Sequence, residues 1–346
     1  MRILMLGGTN FIGRTILDEA IAVGHEVAIS HRGIHTPPDL PDVARIVCDR
    51  MALADHRAEV DAFGPEAIID CVALSSASTQ AVFDALPDPD LRWAVLSSMD
   101  VYRAFASVNT GEITDGAPID ETSAVRADRF PYPDNMPDYS KLDVEDIVLA
   151  RGGVILRLPM TYGPRDYQRR EEAVLRRVRA GRTRMPVGTG GVLLPRGFVV
   201  DVARGVLAAA TAPASQVCGA IFNLCEQPCL PTGLWAREIA TAAACVTGNA
   251  AIELIRVRDD LLPPDLGLLG SIAQPVVVAS DKARRILGYV DTPAADAIAT
   301  SVAWHLAHPP VAPEGAEGDV LLADMADFAA DDAALAAMAA LDPTAD

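Results

Sequence analysis

Several things are scarce in this chain, and each shortage removes a class of protein. Basic residues are too few for a protein that binds nucleic acid by neutralising phosphates: 29 Lys plus Arg stand against 47 Asp plus Glu, a formal charge of −18. No Lys or Arg follows Arg285, and nine acids lie between Ala312 and Asp346, so the rest of the chain carries −9. No apolar run approaches the ~20 uninterrupted residues that a membrane helix needs. The six cysteines (48, 71, 218, 225, 229 and 245) form no CxxC pair, and no signal-like segment precedes the opening MRILMLGG. Reduced thiols and a cytoplasmic setting are therefore expected. The six histidines are scattered, and His305 and His308 have no carboxylate company, so no metal site is expected. What is present in quantity is apolar: 50% of the 346 residues are hydrophobic, enough for a packed core.

The first half alternates strand and helix. Arg2–Leu6, His25–Ser30 and Ala44–Val47 read as strands, and Ala67–Ala73, Arg92–Ser97 and Val154–Leu158 as strands buried on both faces. Arg14–Val23 and Tyr139–Ala150 have helical spacing. This alternation predicts a parallel sheet covered on both sides. The second half is less regular. Arg165–Arg184 is predicted helical, Met185–Val200 hairpin-like, Asp201–Ala212 and Leu234–Val246 helical, and Ile252–Val257 a strand, with a short helix over Ser280–Leu287. A late strand at Ala220–Leu224 is predicted to return to the main sheet. Pro309–Gly318 reads as a linker, and Asp319–Leu341 as a helix with Leu321, Met325, Phe328, Leu335 and Met338 along one stripe.

Between the first strand and helix stands Gly7-Gly8-Thr9-Asn10-Phe11-Ile12-Gly13. Gly7 permits a tight turn and Gly13 a close helix–strand approach, and the helix amino end offers N–H donors to a pyrophosphate. The second strand ends 17 residues beyond Gly13, at Ser30, as a nucleotide-binding unit requires.

In combination, GGTNFIG, GHEVAISHRG, SSMDVY, a Lys-containing helix and LRLPMTYGP resemble the extended short-chain dehydrogenases of the NAD-dependent epimerase/dehydratase family, over about residues 1–305. The resemblance implies an α/β fold: a Rossmann-type doubly wound parallel sheet over 1–160, with a smaller C-terminal α/β substrate domain mostly over 161–308. The strand near 220–224 rejoins the first domain. The acidic linker and C-terminal amphipathic helix over 309–346 have no counterpart in it. The dinucleotide would lie on Gly7, Thr9, Asn10, Phe11, Ile12 and Gly13, with Ala73, Leu74, Lys141 and Pro159 further along. Asp49 and Arg50 either contact the adenine or form a surface pair. The substrate implied is a small molecule, commonly a nucleotide-linked sugar, modified by transient hydride transfer; a homodimer is left open.

The sequence departs from the family pattern at three places. The middle glycine of GxxGxxG is Asn10, which tolerates left-handed backbone and either crowds or contacts the pyrophosphate. At the end of the second strand, where an acid would accept the ribose hydroxyls of NAD, stand His31 and Arg32. A guanidinium suits a 2′-phosphate, so NADP is expected ahead of NAD, unless Arg32 is only a solvated loop residue. The family's chemistry rests on Tyr-x-x-x-Lys, and here Lys141 has Pro137 four residues before it.

Tyr139 lies only two residues from Lys141, ~200° away on a regular helix. Pro137 fits a helix start, so an irregular first turn would let Tyr139 reach inward and act as the phenol, with Ser98 holding the substrate hydroxyl. Tyr102, Tyr132 and Asp138 are the alternatives. Arg165 and Arg196 are candidate substrate-phosphate contacts. From Arg165 to Arg184 eight arginines meet three acids, which either a nucleotide diphosphate or helix-face pairing such as Glu172–Arg176 would explain. Two further readings stay open: an NADPH-dependent carbonyl reductase of secondary metabolism, and a nucleotide-binding or sensor protein that keeps the fold without the chemistry. Pro137 favours the latter; Ser98 and Lys141 oppose it.

Overall fold

The computed structural model describes residues 1–108, 110–310 and 328–341. They form two units: Met1–Thr161 with Arg196–Glu226 and Val278–Asp291, and Tyr162–Pro195 with Gln227–Val277 and the described residues from Thr292 onward.

In the first unit, seven strands among the described residues make one parallel sheet. They are β1 (Arg2–Leu6), β2 (Glu26–His31), β3 (Ala44–Val47), β4 (Ala67–Asp70), β5 (Arg92–Ser98), β6 (Val154–Leu158) and β7 (Ile221–Asn223), in the order β7-β6-β5-β4-β1-β2-β3. β7 is the late strand foreseen near 220–224, and it pairs with β6. β4 and β6 are buried at every residue because helices cover both faces, while edge strand β3 exposes three of its four. Alternate side chains feed two cores. Ile3 and Met5 pack with Ile16, Leu17, Val202 and Val206, whereas Leu4 and Leu6 pack with Val82, Phe83, Val144 and Val148. The chain winds outward from β1 in one direction and from β4 in the other. The carboxyl ends of β1 and β4 are thus a topological switch point, where open α/β sheets hold ligands.

The helix expected from Tyr139 begins two residues later, at Lys141, and runs to Ala150. Ser140 caps it, accepting a hydrogen bond from the Asp143 N–H, as a serine at that position does better than a tyrosine. Tyr139 is therefore outside the helix altogether.

In the second unit, the long arginine-rich helix shortens to Glu172–Arg179. Arg184–Val187 is a strand, but it pairs in parallel with Glu253–Arg256, so no hairpin forms there. The C-terminal helix runs over Phe328–Leu341; the expected stripe positions Leu321 and Met325 lie outside the described residues. Its buried face carries Ala334 and the carboxylate of Asp331, with Phe328, Leu335 and Met338 only half-buried. The helix is thus seated by a charge as well as by apolar contact.

Candidate active site

The phosphate turn is shaped by its glycines. Gly7 (φ 99°) and Gly8 (φ 114°) adopt left-handed backbone, and the Gly7 N–H donates to the Ser30 carbonyl at 2.9 Å. A Cβ on Gly13 would lie 2.9 Å from the Gly8 nitrogen, closer than real contacts allow. Asn10 is extended (φ −140°, ψ 150°), so the left-handed backbone that it would tolerate is not used at this residue. As helix N-cap it takes the extended geometry that position favours, and the positive φ falls on Phe11 (37°) instead. Asn10 is exposed, Thr9 and Ile12 half-buried, and the helix Phe11–Ala22 opens directly behind them. The bare backbone at Gly7, Gly8 and Gly13 fits the close approach of a dinucleotide pyrophosphate.

At the next corner Arg32 is exposed just past β2 and has no ion pair among the described residues. Neighbouring His31 accepts from the Gly33 N–H at 3.1 Å, and burial together with the Arg45 cation lowers its pKa. Asp49 and Arg50 do not form a pair. Asp49 caps a short 3₁₀ turn by accepting from the Met51 N–H, while Arg50 grips Asp70 at the end of β4 through two bonds of 3.0 and 2.7 Å. Asp70 is 1% exposed, and a carboxylate so buried requires a cation. Arg50 is thereby held by one of the protein's own buried carboxylates.

Past β4, Ala73 and Leu74 anchor the start of the helix Lys141–Ala150. Lys141 Nζ, itself buried, donates to the Ala73 carbonyl at 2.7 Å and to the Leu96 carbonyl at 2.8 Å, and the Ser140 N–H donates to Leu74. Desolvation lowers the Lys141 pKa to about 8, although Asp70 and Asp100 act against the fall. Ser98 ends β5 and caps a 3₁₀ turn by accepting from the Asp100 N–H at 3.2 Å.

Tyr139 reaches inward, as its place ahead of the helix allows. Its hydroxyl donates to Asp100 Oδ2 at 2.9 Å and makes a side-chain contact with Ser98. Burial and the Asp100 charge push its pKa well above the usual phenol range. Tyr132 donates to the same Asp100 oxygen at 3.0 Å, the two rings standing 5.2 Å apart; burial and Asp100 push its pKa up to about 12. Asp100 is the residue that sequence reasoning passed over. It sits inside SSMDVY, but nothing local marks it as the meeting point of two phenols from a distant loop. Tyr102 plays no part here: buried, it donates to Asn223 at 2.8 Å beneath the Arg157 guanidinium. Asp138 is exposed.

The candidate substrate arginines fall in different units. Arg196 is buried in the first unit, as is half-buried Pro159, whose ring a Cβ on Gly197 would strike at 2.8 Å. Arg165 is half-buried in the second unit with φ 66°. The surrounding excess of arginine is answered inside the protein. Arg169 and Arg179 pair with Glu172, Arg170 with Asp166, Arg176 with Asp265, Arg177 with Asp265 and Asp331, Arg182 with Asp332, and Arg184 with Glu253. Glu172 pairs with Arg169 and Arg179, and the carboxylates that meet these arginines lie both within the segment and far along the chain.

Sheet order and the glycine turn at the switch point define a dinucleotide-binding α/β protein. Residues 3–225 match the NAD dependent epimerase/dehydratase family, and the chain belongs to it. Similar solved structures include a dTDP-glucose 4,6-dehydratase from Bacillus anthracis in complex with NAD (14% identity, 89% of this chain and 97% of that one, TM-score 0.66). A UDP-glucose 4-epimerase from Bifidobacterium longum in complex with NAD+ and UDP is 17% identical (89% and 99%, TM-score 0.64). A third, the UDP-glucose 4-epimerase of Thermotoga maritima with UDP-glucose, is 17% identical (89% and 99%, TM-score 0.65). No curated protein matches the sequence significantly. Membership carries dependence on NAD or NADP, and no helix among the described residues is long and apolar enough to cross a membrane.

Proposed function

We propose that this chain oxidises and re-reduces a hydroxyl-bearing carbon of a nucleotide-linked sugar, with Tyr139 in the role of the family's phenol. The observation that supports this reading is that Tyr139 turns inward onto Asp100, two residues past Ser98, while Lys141 bonds Leu96 of the same strand, although Pro137 occupies the usual tyrosine position. Gly7, Gly8 and Gly13 would admit the pyrophosphate, and Lys141 the nicotinamide ribose. The dinucleotide, when bound, supplies a nicotinamide that takes up and returns a hydride. The protein's part is the proton: Ser98 holds the substrate hydroxyl and Tyr139 exchanges a proton with it. Exposed Arg32 and the lack of an acid at the end of β2 favour NADP over NAD. The nucleotide-linked substrate is supported by the family and by the UDP- and dTDP-sugar enzymes among the similar structures.

The experiment is a pair of measurements on Tyr139→Phe. Isothermal titration with NADP and NAD should show affinities close to those of the wild type. Turnover of UDP-glucose or dTDP-glucose, followed by product analysis, should fall about 10²-fold or more in kcat, the scale of lost acid–base catalysis. Full turnover in Tyr139→Phe would remove the phenol from the mechanism. A wild type that binds the dinucleotide but converts no nucleotide sugar would favour the sensor reading.

A further inference from the structure

Two phenols converge on one carboxylate oxygen: Tyr139 and Tyr132 donate to Asp100 Oδ2 at 2.9 and 3.0 Å. The turn that carries Asp100 is pinned, since the Asp100 N–H donates to Ser98 Oγ at 3.2 Å. Lys141 sits near enough for the Asp100 charge to oppose the fall in its pKa, and Arg126 acts on Tyr132 in the direction that favours the phenolate. A phenol that already gives its proton to a carboxylate cannot take a second proton unless it hands on the first. Resting on the reading that Tyr139 meets the substrate hydroxyl, we infer that Asp100 is the terminal proton acceptor of this site, working through Tyr139 as a relay.

The balance is simple. The substrate O–H bond breaks as its proton moves to Tyr139 Oη. In the same step the proton of Tyr139 moves to Asp100 Oδ2, leaving a neutral phenol and a neutral carboxylic acid. The oxygen's electron pair becomes the second bond of the new carbonyl, and the hydride released from that carbon is the share of the bound dinucleotide. Tyr132 remains donated to Asp100 throughout and holds the carboxyl in line. Asp100 touches neither substrate nor cofactor in this scheme, so it is a positioning and relay residue whose effect passes entirely through Tyr139.

A double-mutant cycle on the full chain tests the relay. In the cofactor-free protein, the ultraviolet tyrosinate titration of Tyr139 is isolated by subtracting the Tyr139→Phe curve. Asp100→Asn should lower that midpoint by at least one pH unit, because it removes the carboxylate charge beside the phenol. With UDP-glucose and NADP, Asp100→Asn should lower kcat about 10²-fold and move the acid limb of its pH profile. The double variant should be no slower than Tyr139→Phe alone, since both losses lie on one path. Asp100→Ser gives a second variant should Asp100→Asn prove unstable.

An unmoved titration midpoint overturns the inference whether or not any sugar is converted. An unmoved acid limb, or fully additive losses in the double variant, overturns it while leaving the phenol role of Tyr139 intact. A shifted midpoint in a protein that converts no sugar would count against the proposed reaction instead, the proton link between Tyr139 and Asp100 surviving.

Discussion

Replacing Lys141 by Met should separate stability from function. The side chain is 7% exposed and its ammonium bonds two backbone carbonyls, Ala73 and Leu96. Losing both bonds leaves two carbonyls short of a partner, at about 1–3 kcal/mol each. Against that, the folded protein holds the lysine at a pKa of about 8, below the ordinary 10.5. Keeping the charge at pH 7 therefore costs about 3 kcal/mol, at ~1.36 kcal/mol per pH unit. The terms oppose, and Lys141→Met should change stability by no more than about 2 kcal/mol at pH 7.

The pH dependence has a definite sign. Between pH 8 and 10.5 the unfolded chain keeps a proton that the folded chain has shed, so the wild type alone gains stability as pH rises. Urea unfolding at pH 7 and 9.5 should show the wild type gaining about 2 kcal/mol relative to Lys141→Met. Shifts of Tyr102 and Tyr132 are common to both proteins and cancel. Turnover should be abolished in the variant at either pH, and NADP binding weakened by loss of the ribose donor. A stability difference that is flat with pH would refute the buried charge. Undiminished turnover would refute the lysine's role.

Arg32→Asp should shrink the preference for NADP over NAD by about one to two decades, since a charged hydrogen bond is worth roughly 1.5–3 kcal/mol; equal wild-type affinities by calorimetry would refute the assignment. Asp331→Ala leaves Arg177, 0% exposed, with Asp265 as its remaining carboxylate. The loss should be about 3 kcal/mol in urea unfolding, and a loss below ~1 kcal/mol would mean that the C-terminal helix does not depend on this pair. Glu171 is buried, with its pKa raised to about 7 from 4.5 against the hydrogen bond from Ser301. Its contribution is complete below pH 4.5 and is lost as pH rises through 7, so wild-type stability relative to Glu171→Gln should fall across that window, by up to about 3 kcal/mol. His305, 3.6 Å from Glu171 and with its pKa lowered by burial to about 4, is neutral above about pH 5 in the folded protein and so leaves that window to Glu171. Thermal midpoints that run parallel from pH 4.5 to 8 would contradict the shift.

The strands β1, β4, β5 and β6, the glycine turn and the lysine helix are all legible from sequence. Each is a local pattern: a continuous apolar run, a glycine where side chains do not fit, a cap before a helix. The same local logic goes astray by small steps. The left-handed tolerance of Asn10 goes unused, since it is an extended cap, and the helix at Lys141 is begun two residues early. That second slip matters, because the angle between Tyr139 and Lys141 on a helix loses its meaning once Ser140 caps the helix between them.

By itself, then, the sequence determined the fold class, the phosphate turn, and the presence of Ser98 and Lys141, because backbone geometry and burial follow from residues close together in the chain. Only the tertiary structure decided who partners whom. Arg50 meets Asp70 because β3 and β4 end on the same side of the sheet, and the arginines of 165–184 find Asp265, Asp331 and Asp332 far along the chain. Tyr132 and Tyr139 are carried by one loop onto Asp100 at the end of β5. Charges and hydroxyls act over a few ångströms in any direction, so their partners depend on how distant segments pack, and no spacing along the chain encodes that.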